Sequence, residues 1–315
     1  MPSIDLPPLA RPTLLFIGVT TGGSFVNRLF PVWAEEMGLG DVELRGIDLP
    51  VDAAPGAVRA AVAFIAANDL ARGALVTTHK IGVFRHAGDL FGAFDSYACA
   101  LGEVSSIARR DGRLVGHAKD PITSGLALDR IVGRDHWRAH PEARALLMGA
   151  GGACVALAAH LLERPRGGRP AGVALTDIDP ERLADARRHL EALDRDGLVS
   201  YRGVAGAEDH DALLAALPVA SLVVNGTGLG KDRPGSPITD AAVFPEGGTA
   251  WEFNYRGELG FLHRARRQTE ARRLRVADGW VYFLYGWAHV IAEVFDRPLD
   301  DALFARLERA AERLR

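Results

Sequence analysis

Ala145-Leu-Leu-Met-Gly-Ala-Gly-Gly-Ala-Cys154, running on as Val-Ala-Leu-Ala-Ala-His-Leu-Leu162, decides the reading of this chain. A short apolar run meets a glycine turn and then an apolar run of helical length, the local order of strand, tight turn and helix. In such a junction Gly149 allows the turn, Gly151 lets the backbone approach a phosphate, and small Cys154 lets helix and strand pack closely. The first amides of the helix have no partner within it and face an anion. Gly149, Ala150, Gly151, Gly152 and Ala153 are therefore the candidate residues for a dinucleotide pyrophosphate. A second apolar run, Ala171 to Thr176, ends at Asp177, whose carboxylate can accept hydrogen bonds from ribose hydroxyls. The 28 residues from Gly149 to Asp177 exceed the usual interval of about 20, and Arg164-Pro-Arg-Gly-Gly-Arg-Pro170 reads as a loop that supplies the excess.

Outward from that junction, strand-like and helix-like runs alternate, the pattern of parallel sheets with crossover helices. Leu14 to Val19, Val42 to Ile47 and Ala74 to Thr78 read as strands of a first unit, separated by helices over Phe25 to Met37 and Ala57 to Asn68. Asp111-Gly112 between two apolar stretches predicts a hairpin, which gives that unit an antiparallel edge. After the nucleotide strand, further strands are expected at Leu198 to Gly203, Ser221 to Asn225, Thr249 to Phe253 and Leu274 to Ala277. Tyr282 to Phe295 and Leu299 to Leu314 read as helices. The expected fold is α/β: an N-terminal α/β substrate and catalytic domain (1–122), a Rossmann-type dinucleotide-binding domain (123–278), and C-terminal helices (279–315) returning to the first domain.

Composition narrows the partners. The 315 residues carry 37 basic and 40 acidic side chains, a net charge of −3, so no global field favours nucleic acid or an anionic membrane. Cys99 and Cys154 are the two cysteines and have no metal-like spacing, which predicts a reducing compartment and no disulfide framework. The start, Met1-Pro-Ser-Ile-Asp-Leu-Pro-Pro8, lacks a basic region followed by an apolar core, so a cytoplasmic location is expected. The long apolar run Ala145 to Leu162 is broken by glycines and reads as strand plus helix, not as a membrane span. The ten histidines show no His-Glu-x-x-His spacing, no Gly-x-Ser-x-Gly elbow appears, and no metal is expected. The expected partner is a small-molecule substrate, with the chain a monomer or homodimer.

Lys80 and Asp120 end two strand-like runs of the first unit, where ligands of open α/β sheets gather. Hydride transfer between a nicotinamide and a secondary alcohol leaves one proton to be taken up at the oxygen. A partly desolvated lysine suits that role, with a neighbouring carboxylate to hold it.

Ala74-Leu-Val-Thr-Thr-His-Lys80, Gly102-Glu-Val-Ser-Ser106 and Gly116-His-Ala-Lys-Asp120 stand in the same order as Asn-Val-Thr-x-Pro-x-Lys, Gly-Ala-Val-Asn-Thr and Gly-x-Asn-Thr-Asp of the shikimate dehydrogenase family, which the chain resembles over most of its length. Gly149-Ala-Gly-Gly-Ala153 looks like that family's nucleotide turn, and Val224-Asn-Gly-Thr-Gly-Leu-Gly230 like its Asn-Ala-Thr-x-x-Gly segment. Glu252-Phe-Asn-Tyr255 is similar to Asp-x-x-Tyr, and Gly279-Trp-Val-Tyr-Phe-Leu-Tyr-Gly286 to Gly-x-x-Met-Leu-Val-x-Gln. The resemblance places the family's lysine and aspartate dyad on Lys80 and Asp120. It adds Asn225 and Thr227 to the cofactor residues, and Ser105 and Tyr255 to those that position substrate.

The departures from the family point to a changed pocket. Its Ser-x-Ser near the first strand meets Thr20-Thr-Gly-Gly-Ser24, its substrate asparagines meet Ser105 and Ala118, and its C-terminal glutamine meets Gly286. Thr20 and Tyr282 join the candidate substrate residues, with Trp280, Tyr285 and Trp287 read equally well as pocket or as helix core. A polyhydroxylated carboxylate needs its partners, because a buried polar group left unpaired costs about 1–3 kcal/mol. An alicyclic or hydroxy-acid substrate other than shikimate is expected, with true shikimate or quinate dehydrogenase as the alternative and an inactive dinucleotide-binding sensor or scaffold as the reading from another class. Where NADP-using relatives carry Asn-Arg-Thr, this chain has Asp177-Ile-Asp179, so NAD is expected in preference to NADP.

Overall fold

The computed structural model describes residues 6–231 and 233–315, so the reading of Met1 to Asp5 lies outside the described residues. Among the described residues, strands form two six-stranded sheets, and contacts divide the chain into residues 1–119 with 286–315 and residues 120–285.

In the first unit β1 (Thr13–Gly18), β2 (Glu43–Asp48), β3 (Ala71–Val76), β4 (Phe91–Phe94), β5 (Ser106–Arg110) and β6 (Arg113–His117) lie in the order β2-β1-β3-β5-β6-β4. β1 pairs in parallel with β2 and β3 and is buried along its whole length, as a central strand covered on both faces must be. β5 runs antiparallel to β3 and to β6. Asp111 and Gly112 join β5 to β6 with φ of 50° and 76°, the left-handed pair that a tight hairpin requires. The hairpin is not the edge the sequence pattern suggests. β4 pairs in parallel with β6 outside it, and Phe91-Gly-Ala-Phe94 is too short and too glycine-interrupted to announce a strand.

The helix Pro55–Ala67 places Val58, Ala61, Val62 and Ile65 at helical spacing into the core formed by Leu15, Ile17 and Val76. Each valine or isoleucine among them contributes about 1.5–3 kcal/mol when fully buried. The C-terminal helix Asp301–Leu314 lies along Val26–Glu36, where Trp33 Nε1 donates to Leu307 O at 2.8 Å and Arg306 meets Glu36 at 3.3 Å.

In the second unit β7 (Ala145–Met148), β8 (Val173–Asp177), β9 (Val199–Gly203), β10 (Leu222–Asn225), β11 (Thr249–Glu252) and β12 (Arg275–Ala277) are all parallel, in the order β12-β11-β10-β7-β8-β9. The direction of winding reverses between β7 and β10, which opens a crevice at their carboxyl ends. β7, β10 and β11 are wholly buried, consistent with near-continuous apolar runs. Ala145 to Leu162 divides at the glycine turn into β7 and the helix Gly152–Glu163. Among the described residues no helix is long and apolar enough to cross a membrane.

Candidate active site

The crevice of the second unit is a cleft of about 700 Å³, lined by Gly149, Gly151, Asp177, Arg182, Thr227 and Arg233 among others. Gly149 sits at φ +99°, and a Cβ there would lie 2.9 Å from Gly226 O and 3.0 Å from Thr227 Cα. Only glycine brings the two strand ends this close. A Cβ on Gly151 would meet no atom within 4 Å, so the backbone faces open space on the cleft side. Gly151 caps the helix Gly152–Glu163 without a side-chain hydrogen bond, which leaves the first amides of that helix for an anion. The Ala153 and Gly152 backbones belong to this first turn. These features fit a dinucleotide pyrophosphate.

Asp177 ends β8, almost fully buried. Its Oδ2 accepts the Ala150 N–H at 2.8 Å and its Oδ1 the Asp179 N–H at 3.0 Å. The carboxylate therefore pins the glycine turn, a duty the sequence does not announce, and keeps lone pairs for a ribose hydroxyl. Ile178 beside it is 69% exposed, and Arg182 lies 3.7 Å from Asp179. His210, buried on the same wall, bonds Pro237 O through Nδ1 and Thr176 Oγ1 through Nε2, both at 2.8 Å. A carbonyl only accepts, so Nδ1 carries the proton, and burial lowers the ring's pKa and keeps it neutral.

Across the switch point, Asn225 ends β10. Its Oδ1 accepts from Thr227 N and Thr227 Oγ1, at 3.1 and 2.7 Å, and this shapes the loop that closes over Gly149. Its Nδ2 donates to Glu252 Oε2 at 2.6 Å. Glu252 is 0% exposed, and burial pushes its carboxyl up to about 7 against the hydrogen bonds it accepts from Asn254 and Asn225. The sequence assigns roles to Asn225 and Thr227 and gives Glu252 none beyond its place in the Asp-x-x-Tyr match, although an acidic residue closing a buried strand is itself a signal.

In the first unit Lys80 opens the helix Lys80–Ala87 just beyond β3, half-buried, and its carbonyl accepts from Val104 N at 3.1 Å. His79 before it is buried and bonds Leu49 O at 3.1 Å, which fixes the entry to that helix. Ser105 is buried, with its hydroxyl accepting the Lys119 N–H at 2.7 Å. Lys119 Nζ meets Glu293 at 2.6 Å, and Arg110 and His117 meet the same carboxylate at 2.9 and 3.3 Å. His117 also faces Asp95 at 3.5 Å. His289, one turn before Glu293, is pushed down to about 4 by burial and by Lys119, so it is neutral. This cluster holds the strand that leads to residue 120, and no spacing in the sequence predicts it. Thr20 is exposed, whereas its neighbour Thr21 is buried and donates to Asp48 Oδ1 through both N, at 2.8 Å, and Oγ1, at 2.5 Å.

Asp120 opens the helix Asp120–Val132 in the second unit, 9% exposed. Tyr255 is half-buried against Trp280 and Phe283, and burial raises its hydroxyl pKa. Tyr282 packs on Trp251 and Phe253. Trp280 and Trp287 are each 4% exposed, the latter edge-on to Phe16 at 4.9 Å.

No profile of a known family matches the chain. A shikimate dehydrogenase (NADP+) of Symbiobacterium thermophilum is 30% identical over 226 residues, which is 69% of this chain and 69% of that protein. A crystal structure of a shikimate dehydrogenase in complex with NADP+ is similar with a TM-score of 0.74 at 18% identity, over 97% of this chain and 96% of that one. Quinate dehydrogenase from Corynebacterium glutamicum in complex with NAD gives 0.72 at 19% identity, over 95% and 98%. At such identities these two structures speak for the fold alone. The curated relative's name favours the alternative expectation, shikimate itself, over a different substrate, and it carries NADP where NAD was expected. With that relative spanning more than two thirds of both proteins, the chain belongs to the shikimate dehydrogenase family of NAD(P)-dependent oxidoreductases.

Proposed function

We propose that this chain interconverts a secondary alcohol and a ketone on a ring-bearing hydroxy acid of the shikimate or quinate type. The observation that carries the reading is the cleft at the β7/β10 switch point, with an uncapped helix start, open space over Gly151 and the Asp177 carboxylate at its wall, in a chain of this family. When bound, the nicotinamide supplies the hydride acceptor. Lys80 takes the hydroxyl proton as the carbon gives up its hydride, and returns it to the oxygen in the reverse direction. Asp120 holds the Lys80 ammonium and fixes its direction. Ser105, Tyr255, Tyr282 and Thr20 are the proposed substrate contacts. Gly149, Ala150, Gly151, Gly152, Ala153, Asp177, Asn225 and Thr227 hold the dinucleotide. Lys80→Ala abolishes turnover while dinucleotide affinity changes little; turnover surviving this substitution overturns the assignment.

A second reading concerns the substrate. Ala118 is fully buried and Gly286 bears no side chain, so the family's amide donors at these two positions are absent here. This favours a ring alcohol with fewer or differently placed hydroxyls. Turnover of shikimate, quinate and simpler cyclic hydroxy acids, compared by kcat/KM, separates the two.

NAD is the proposed cofactor. An acidic Asp177 repels a 2′-phosphate, Ile178 stands where a phosphate-binding arginine would, and Arg182 is drawn toward Asp179. The relative named for NADP argues the other way, and affinities for the two dinucleotides decide it.

A further inference from the structure

We propose that Glu252 is a positioning residue for the dinucleotide: as a carboxylate, it holds the loop from Asn225 to Leu229 in the shape that closes the cleft. The inference deepens the reading of that cleft as a dinucleotide site and rests on it.

Three N–H groups converge on Glu252, and every one is a donor. Asn225 Nδ2 reaches Oε2 at 2.6 Å, while Asn254 N and Nδ2 reach Oε1 at 2.9 and 2.7 Å. Neither amide can turn around. Asn225 Oδ1 is committed to Thr227 N and Oγ1, so its Nδ2 must face Glu252. Asn254 Nδ2 also donates to Leu229 O at 3.4 Å, and Thr227 Oγ1 accepts Leu229 N at 3.2 Å. Both ends of the loop, Asn225 and Leu229, are thus tied to one buried carboxylate through two asparagines. Gly226, Thr227 and Leu229 line the cleft, so the shape of this loop is the shape of the site.

The base of the arrangement is rigid. Gly279 N donates to Asn254 O at 3.1 Å, and a Cβ on Gly279 would lie 1.9 Å from Phe253 O, which locks residues 253 and 254 from the side of β12. The ionisable neighbours are Asp278 beyond β12, which disfavours the Glu252 anion, and Cys154 on the helix Gly152–Glu163, whose thiol is pushed up by burial first, then by Asp177 and Glu252. Protonation of Glu252 sets a hydroxyl against groups that are all donors, so at least one bond of the network is lost. Burial makes that protonation accessible close to neutrality.

The test is NAD+ binding by calorimetry from pH 5.5 to 8.5 on the full chain. Wild-type affinity is highest at the alkaline end of the range and weakens as pH falls through about 7. Glu252→Gln places an amide N–H₂ against the same donors; its affinity at pH 8 falls about tenfold and no longer changes with pH. Glu252→Asp keeps the charge on a shorter stem and binds more weakly than wild type but still with pH dependence. Glu252→Gln that keeps the wild-type Kd, or the wild-type pH profile at lower affinity, overturns the proposal. Should Glu252→Gln not fold, a flat wild-type profile overturns it and a wild-type profile that weakens below pH 7 supports it. A wild type that binds no dinucleotide at all overturns the parent reading as well, which tells the two failures apart.

Discussion

Lys119 Nζ lies 2.6 Å from Glu293 Oε2, a pair 174 residues apart whose side chains are only 13% and 22% exposed. Arg110 and His117 share the same carboxylate, so Glu293 is the anion on which three potential cations depend. Removing it leaves like charges crowded in a half-buried place, and Glu293→Ala is expected to cost about 2–3 kcal/mol, read as a lowered denaturant midpoint. Burial works to raise this carboxyl, but Lys119, His117 and Arg110 outweigh it and hold the group below the usual carboxylate range. A carboxyl lowered in the folded state gives stability that is complete above its unfolded value and is lost as pH falls through the folded one. Between pH 5 and 3 the wild type therefore loses more stability than Glu293→Ala, and parallel losses would contradict the role.

Gly226 and Cys154 illustrate how closely the switch point is packed. A Cβ on Gly226 would lie 2.3 Å from Cys154 Sγ, while its next contacts are ordinary ones at 3.4 and 3.5 Å. Gly226→Ala alone forces the loop or the helix to shift, with a cost of about 1–3 kcal/mol. Cys154→Ala removes the obstructing sulfur, so the double variant recovers most of that loss. Double-mutant analysis of thermal unfolding checks this, and strict additivity of the two losses would show that the sulfur is not the obstacle.

The nucleotide half of the fold is legible because its signals are local. Gly149 and Gly151 sit within one turn, the buried parallel strands read as short apolar runs, and Asp177 closes the second of them. The hairpin at Asp111 and Gly112 is equally local. What escapes is held together by long-range pairing. β4 is a four-residue edge strand that exists because β6 offers it a partner. The Glu293 cluster joins a helix near the C-terminus to β6 and its flanking residues. Ser105 and Asp177 are legible as candidate site residues, but their hydrogen bonds to the Lys119 and Ala150 backbones depend on chain folding that no spacing encodes.

Ile178 offers the cleanest probe of cofactor choice. Its side chain is 69% exposed, so replacing it disturbs no core. Ile178→Arg supplies a guanidinium next to Asp177, where a 2′-phosphate would lie on the proposed reading. The ratio of NADP+ to NAD+ affinity is expected to rise about tenfold or more with unchanged thermal stability. An unchanged ratio would place the ribose elsewhere on the wall.

Glu252 carries a stability signature separate from ligand binding. Its carboxyl is fully buried, and burial first, then Asp278, raise it to about 7 over the opposition of three hydrogen bonds. A carboxyl raised in the folded state holds its proton there while the unfolded chain has already released it. Its stabilising effect is therefore complete below the unfolded value near 4.3, declines as pH rises, and is gone above about 7. The decline amounts to about 3–4 kcal/mol. Glu252→Gln cannot titrate, so subtracting its unfolding free energy from that of the wild type between pH 4.5 and 8 isolates this one group from Glu293 and the other carboxyls. The wild type loses ground relative to Glu252→Gln across that interval. A difference that stays constant with pH would mean that Glu252 holds its charge throughout, and that the apoprotein already bears the anion at the lower end of the range.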